Sequence, residues 1–202
     1  MALIESQTEY LNETFKKIRL DSSRIDQTFF SECVFSKCSF RETVFRKCRF
    51  NNCVFQECDL SLINVEESSF RDTKFRKSKV VGVNWALASW PHFVFQSPLN
   101  FYECEIVYST FIGLSLQKIS FKGCVAKNVD FSEADLTDAN FQNAILTKSQ
   151  FRNTNLTRVN FEGARDYTID VTKNTVTKAR FSLPEAYSLL HNLDGIVLVE
   201  SW

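Results

Sequence analysis

The sequence predicts a solenoid, a backbone that coils and turns a corner every five residues. Three observations lead there. Phenylalanine stands at 30, 35, 40, 45, 50 and 55, with small residues two places earlier at Cys33, Cys38, Thr43, Cys48 and Cys53. A period of five fits neither the 3.6 of a helix nor the 2 of a strand. The register also runs on far beyond that stretch, and self-similarity at a fixed period marks a repeat architecture.

Upstream the register fades through Ile25, Leu20, Phe15 and Tyr10. Downstream it continues through Leu60, Val65, Phe70, Phe75, Val80, Trp85, Trp90 and Phe95, then breaks at Asn100. It resumes one residue late at Phe101 and holds to Phe161. The reading is one extra residue within Pro91 to Asn100, a segment holding two of the three prolines, which remove ladder donors. With that single insertion the centres sort into four columns, among them Phe30, Phe50, Phe70, Trp90, Phe111, Phe131 and Phe151. The columns place Trp90, Pro91, His92 and Pro98 at a bulge, kink or short protruding loop inside one continuous rod.

After Asp166 the pattern changes type. Ser182 to Glu185 reads as a capping box with Pro184 in the first turn. Leu183, Ala186, Leu189, Leu190 and Leu193 form a helical apolar stripe, and Gly195 is a stop signal. Ile196, Val197, Leu198 and Val199 form a short β-branched run ending in Trp202. The division is a repeat rod over 1–181 and a helix plus strand over 182–202. That tail either caps the rod or also meets a second copy across a two-fold axis, and its length favours the dimer.

The totals exclude several functions. Lys plus Arg and Asp plus Glu both number 24, so no global charge points to nucleic acid or membrane. No apolar run approaches the ~20 residues of a membrane span, and the start lacks a secretory signal, so the expected location is the cytoplasm. The seven cysteines lack CxxC pairs and lie far from the two histidines, which argues against a metal site. They read as small buried residues, although Cys33/Cys53, Cys38/Cys58 and Cys104/Cys124 stand close enough for disulfides in an oxidising setting. No phosphate-binding loop or catalytic triad is present, so no catalytic residue, cofactor or enzyme activity is expected.

The repeats EADLT, DANFQ, NAILT and TNLTR resemble the pentapeptide-repeat family over about Ile25 to Phe161. That resemblance implies an all-β, right-handed quadrilateral β-helix of about eight to nine coils. Stretches such as GVNWALASWP, CEI…STFIGLSL and RFSLPEA are similar to the Qnr, AlbG and McbG group. Members of that group bind DNA gyrase, often also topoisomerase IV, and relieve inhibition by quinolones, albicidin or microcin B17; some carry a helix-plus-tail dimer module. No long loop interrupts the coils here, unlike the Qnr members, which tilts the reading towards immunity against a natural toxin.

Outward charge is the remaining carrier of function. Basic residues cluster at Arg41, Arg46, Lys47 and Arg49 and again at Arg71, Lys74, Arg76, Lys77 and Lys79. From 128 to 170 seven acids, Asp130, Glu133, Asp135, Asp138, Glu162, Asp166 and Asp170, face four bases, Lys148, Arg152, Arg158 and Arg165, a net of −3. An acidic rod could occupy a surface evolved for duplex DNA; the plainer reading is solubility charge. The expected partner is gyrase, with direct nucleic-acid binding disfavoured. The alternative is an interaction solenoid with an unrelated protein partner.

Overall fold

The computed structural model describes residues 4–90, 97–193 and 196, with 191 and 192 described by backbone alone. Within these residues the chain is an all-β solenoid built only from parallel pairings between successive coils. Its largest sheet stacks Thr14–Lys16, Val34–Ser36, Val54–Gln56, Thr73–Arg76, Leu99–Tyr102 and Phe121–Lys122 in that order. A second sheet stacks Glu9–Leu11, Phe29–Ser31, Arg49–Asn51 and Ser69–Arg71. The faded N-terminal register therefore still forms a coil, with Tyr10 opposite Phe30 and Phe15 opposite Phe35.

Corners make the period of five. Almost every fifth residue adopts positive φ: Lys37, Glu42, Lys47, Asn52 and Glu57 lie between 52° and 56°. Among the described residues four glycines share this duty, at 82, 113, 123 and 163. A left-handed residue with a side chain costs about 1 kcal/mol or more and persists only where its surroundings enforce it. Here the enforcement is a hydrogen bond to the next coil. Lys37 N–H donates to the Gln56 carbonyl at 2.9 Å, Glu57 to Arg76 at 2.9 Å and Lys77 to Tyr102 at 3.0 Å.

A second brace sits just before the central residue. Asp59 Oδ1 accepts the Ser61 N–H at 3.0 Å, and Asn140, Asn155 and Asn160 accept from Gln142, Thr157 and Glu162 at 2.9, 3.1 and 3.0 Å. This Asx turn gives the chain a local substitute for glycine at its bends and explains the Asp/Asn of the later repeats. Asp170 does the same to Thr172, accepting its N–H at 2.9 Å and its hydroxyl at 2.6 Å.

The small position serves the interior. The thiols of Cys33, Cys48, Cys53 and Cys58 lie 3.3–3.4 Å from the carbonyls of Tyr10, Ile25, Phe30 and Phe35, one coil back. Ser68, Thr73 and Ser78 make the same contact at 2.8, 3.0 and 3.2 Å. Cysteine here is a small interior donor, interchangeable with serine or threonine. All seven are free and buried, and burial pushes the Cys53 thiol up to about 12.

One expectation about register is corrected. Below the break, partners are twenty residues apart, as in Phe55 with Phe75; across it Phe75 pairs with Phe101, twenty-six apart. The insertion is six residues, not one. Ser89 N–H still donates to Ser68 O, in register with the coil below, whereas Leu99 already stands opposite Thr73. The extra residues thus fall between Ser89 and Leu99, so the coils are interrupted by more than a bulge. A register counted in fives reads six as one, because both leave the same remainder.

The columns shift accordingly. Phe15, Phe35, Phe55, Phe75, Phe101, Phe121, Phe141, Phe161 and Phe181 form one unbroken ladder of stacked rings, with centroids 4.5–5.3 Å apart. Trp85, not Trp90, stacks on Phe111, followed by Phe131 and Phe151. Ile106 continues Phe40, Leu60 and Val80, since Lys79 bridges Glu105. Phe95, placed in a column by the shorter insertion, lies outside the described residues. Nine levels at ~4.8 Å per step give a rod about 40 Å long.

The last coil departs from the pattern as well. Tyr167 is buried where the register places Asp166, and at the next centre Val171 is only half-buried while Ile169, two places before it, is fully buried. The tail helix is a 3-10 helix over Glu185–Asn192, and Ser182 does not cap it. Its hydroxyl instead accepts the Gly163 N–H at 2.9 Å, tying the tail to the coil beneath. Of the predicted terminal strand, Ile196 is exposed and in no regular element; Val197, Leu198, Val199 and Trp202 lie outside the described residues.

Two outcomes follow. A double-mutant cycle on Phe75→Leu and Phe101→Leu, read by urea unfolding, is expected to show a coupling of about 0.5–1.5 kcal/mol, and zero coupling would contradict the six-residue register. Hydrogen bonds from Thr172 and then Lys173 hold the Asp170 carboxyl at about 2, below its ordinary 3.8. Its folded value being depressed, its contribution is present above about pH 4 and lost as pH falls towards 2. A carboxyl titration followed by NMR should place its midpoint near 2; Thr172→Val should raise it.

Candidate partner-binding surface

With the interior filled by apolar rings, polar function falls to the outward residues and corners. Their spacing along the rod is set by the coil repeat, so charges twenty residues apart in regular coils become neighbours. Lys37 meets Glu57 at 3.4 Å, Lys47 meets Glu67 at 3.4 Å and, across the insertion, Lys77 meets Glu103 at 3.6 Å. These corner ladders alternate in sign, and each exposed pair contributes only ~0–1 kcal/mol.

The early basic clusters are largely consumed this way. Arg46 lies 3.7 Å from Glu66 and 3.6 Å from Glu67; Arg41 lies 3.9 Å from Asp59 and Lys74 lies 3.1 Å from Asp72. Arg49 and Arg76 lie over the rings of Phe29 and Tyr102 at 5.5 and 5.0 Å. Pairing and stacking leave a weak positive field over these coils.

The seven acids divide into three groups. Asp138 takes a two-pronged bond from Arg158 at 2.6 and 2.7 Å, and this bond lowers its pKa. Glu162 pairs with Arg180 at 3.2 Å and Asp170 with Lys173 at 2.9 Å. Asp130 and Asp135 are Asx braces, bonded to the N–H groups of Ser132 and Thr137 at 2.9 and 3.0 Å. Burial pushes the Asp135 carboxyl up, but bonds from the Thr137 hydroxyl and Gln117 outweigh it, and the net shift is down. Glu133 and Asp166 sit at positive-φ corners, Asp166 accepting the Thr147 hydroxyl at 3.1 Å. Asp130, Glu133, Asp135 and Asp166 have no ion-pair partner among the described residues.

Position around the rod matters as much as pairing. Asp130 flanks the Phe131 column and Asp135 the Leu136 column, which are consecutive sides of one coil, with Glu133 at the corner between them. Glu162 belongs to the Phe161 column, another side. The structure therefore brings Asp130, Glu133 and Asp135 together and holds Glu162 apart.

At the insertion, Trp90 is half-buried and its indole N–H donates to the Trp85 carbonyl at 2.8 Å. Pro98 is buried and its carbonyl accepts the Thr73 N–H at 3.0 Å. Both line a narrow crevice with Phe70, Ala88 and Ser89. Pro91 and His92 lie outside the described residues. At the C-terminus Leu183 and Ile196 are exposed, Leu189 packs against the core, and Ala186, Leu190 and Leu193 are half-buried. Among the described residues no group of three or more His, Cys, Asp or Glu side chains is placed to hold a metal, and no helix is long and apolar enough to cross a membrane.

Sequence reasoning missed the Asx braces, whose signal was an Asp or Asn recurring one place before the centre at 130, 135, 140, 155 and 160.

Known proteins place this geometry. Full-length QnrB1, a plasmid-mediated fluoroquinolone resistance protein, superposes with a TM-score of 0.52 at 15% identity, covering 93% of this chain and 100% of that one. A trypsin-treated variant of QnrB1 gives 0.54 at 18%, covering 97% and 99%. HetL of Nostoc sp. strain PCC 7120, a pentapeptide repeat protein involved in heterocyst differentiation regulation, gives 0.31 at 17%, covering 87% and 86%. At such identities the likeness to QnrB1 is one of fold. No curated protein sequence matches the chain. The profile of the pentapeptide repeat region matches residues 28–111 and 98–165, and the chain belongs to the pentapeptide repeat family.

Proposed function

We propose that the protein binds DNA gyrase, and topoisomerase IV as a second target, and protects it from poisons such as quinolones or toxins of the albicidin or microcin type. It acts as a binding rod in the bacterial cytoplasm, without catalysis. The observation that carries this reading is the rod itself: its fold follows QnrB1 over nearly the full length of both chains. The sequence stretches similar to the Qnr, AlbG and McbG group support it.

Two rods joined at their C-termini, through Leu183, Tyr187, Ile196 and the residues beyond, would reach about 80 Å, the length of ~24 base pairs at ~3.4 Å each. In such a dimer the later coils lie near the centre. Of their seven acids Asp130, Glu133, Asp135 and Asp166 stay unpaired, against Lys148, Arg152 and Arg165, because the other three acids are neutralised by Arg158, Arg180 and Lys173, so the field is only weakly negative. That neutralisation also favours the second reading, an interaction solenoid whose partner is unrelated to topoisomerases.

A gyrase supercoiling assay with and without a poison tests the proposal. Micromolar protein is expected to restore supercoiling in the poison's presence; neither rescue nor inhibition would refute it. Changing Asp130→Asn, Glu133→Gln, Asp135→Asn and Asp166→Asn together keeps the Asx braces while removing the charge. This variant is expected to lose potency about tenfold, ~1.4 kcal/mol. Undiminished rescue would rule out electrostatic mimicry as the mechanism.

A further inference from the structure

Two successive coils interrupt the charged surface. The segments 81–87 (VGVNWAL) and 107–113 (VYSTFIG) hold no charged residue. They lie directly on one another: Asn84 bridges Thr110, and Gly82 N–H donates to Val107 O at 2.7 Å. The coil below, 61–67, carries Glu66 and Glu67 at the matching places, and the coil above, 127–133, carries Lys127, Asp130 and Glu133.

Apart from Asn84 and half-buried Thr110 at the middle of this face, what the two segments expose is apolar. Leu87 is 45% exposed, Tyr108 69% and Ile112 44%, with exposed Ala86 one coil below Ile112. Leu62, 53% exposed, extends the patch from the coil below. It lies over Gly82, where a Cβ would stand 2.6 Å from Leu62 Cδ2, so the missing side chain makes room for it. Scattered exposed apolar residues are ordinary, but apolar groups gathered at both corners of one uncharged face, with a charged rim, mark an interaction site.

The rim identifies the kind of partner. Along the rod, the nearest charges are Glu66 and Glu67 on one side and Asp130 and Glu133 on the other, with Lys127 as the cation on that upper coil. Glu66 and Glu67 are shared with Arg46 and Lys47 one coil further away, so the unpaired Asp130 and Glu133 are the stronger anchors for a partner's cations. Two coils span ~10 Å, close to the ~10 Å diameter of a helix laid across the rod. Apolar side chains on the facing stripe would meet the patch while cations on either flank reach the carboxylates.

We propose that this patch is the docking site for a basic amphipathic segment of a protein partner, seated on Ala86, Leu87, Tyr108 and Ile112 between Glu66/Glu67 and Asp130/Glu133. It is smaller than the ~800 Å² per partner of a standard interface, so it is an anchor within a wider footprint. It goes beyond the topoisomerase reading and does not rest on it.

The test uses the full chain and a fluorescent 18-residue helical peptide of leucine and lysine, followed by anisotropy at physiological ionic strength. Binding is expected, weakened at least about tenfold by Ile112→Asp and by Ala86→Asp, and unchanged by Gln142→Asp on the Phe141 side of the rod. Using two patch variants guards against one that folds poorly. Absent binding, or binding equally strong in all variants, overturns the proposal. So does a concentration-dependent dimer in sedimentation that Ile112→Asp abolishes, because the occupant would then be a second copy of this chain.

Discussion

The hydrogen bond that most corner residues donate to the coil above is the constraint on which the rest depends. It holds lysines, glutamates and asparagines in a left-handed conformation that alone would be unfavourable, and so permits a corner every five residues with few glycines. Once the corners are fixed, every fifth residue must point inward, and the coil spacing brings its ring within stacking distance of the next. The ladder from Phe15 to Phe181 is a consequence of the corners as much as a cause of stability. Each coil stabilises its neighbours, so damage at one level is felt chiefly by the two beside it.

The repeat made the interior legible because a period of five has few structural solutions. Cys33, Cys53 and their neighbours could be read as small buried groups from spacing alone. The length of the insertion is not legible in the same way, because a register counted in fives cannot separate one residue from six. Ring continuity carried the missing information: only six extra residues keep Phe75 beneath Phe101 and Trp85 beneath Phe111. The capping at the tail departs from its sequence pattern for a different reason. Ser182 to Glu185 has the residues of a capping box, but Gly163 competes for the same hydroxyl and wins.

The outer surface was less legible because a side chain there has several possible uses. Composition counts Asp138 and Asp130 alike, yet one, at a corner, is held by Arg158 and the other, just before a centre, braces a bend. Net charge is a sum that hides such pairing, and the predicted acidic region is thinner and less one-sided than its composition suggested. The uncharged segments 81–87 and 107–113 do not stand out as one surface in the sequence, because only the twenty-six-residue offset places them in contact.

The central claim is that the coil ladder passes through the insertion without a break, making one rod of the two halves. Native-state hydrogen exchange measures this directly. Thr73 and Lys77, whose N–H groups donate to Pro98 and Tyr102, should exchange as slowly as Asn52 and Glu57 in the regular coils below. Fast exchange at Thr73 and Lys77 beside slow exchange at Asn52 and Glu57 would contradict the continuous rod.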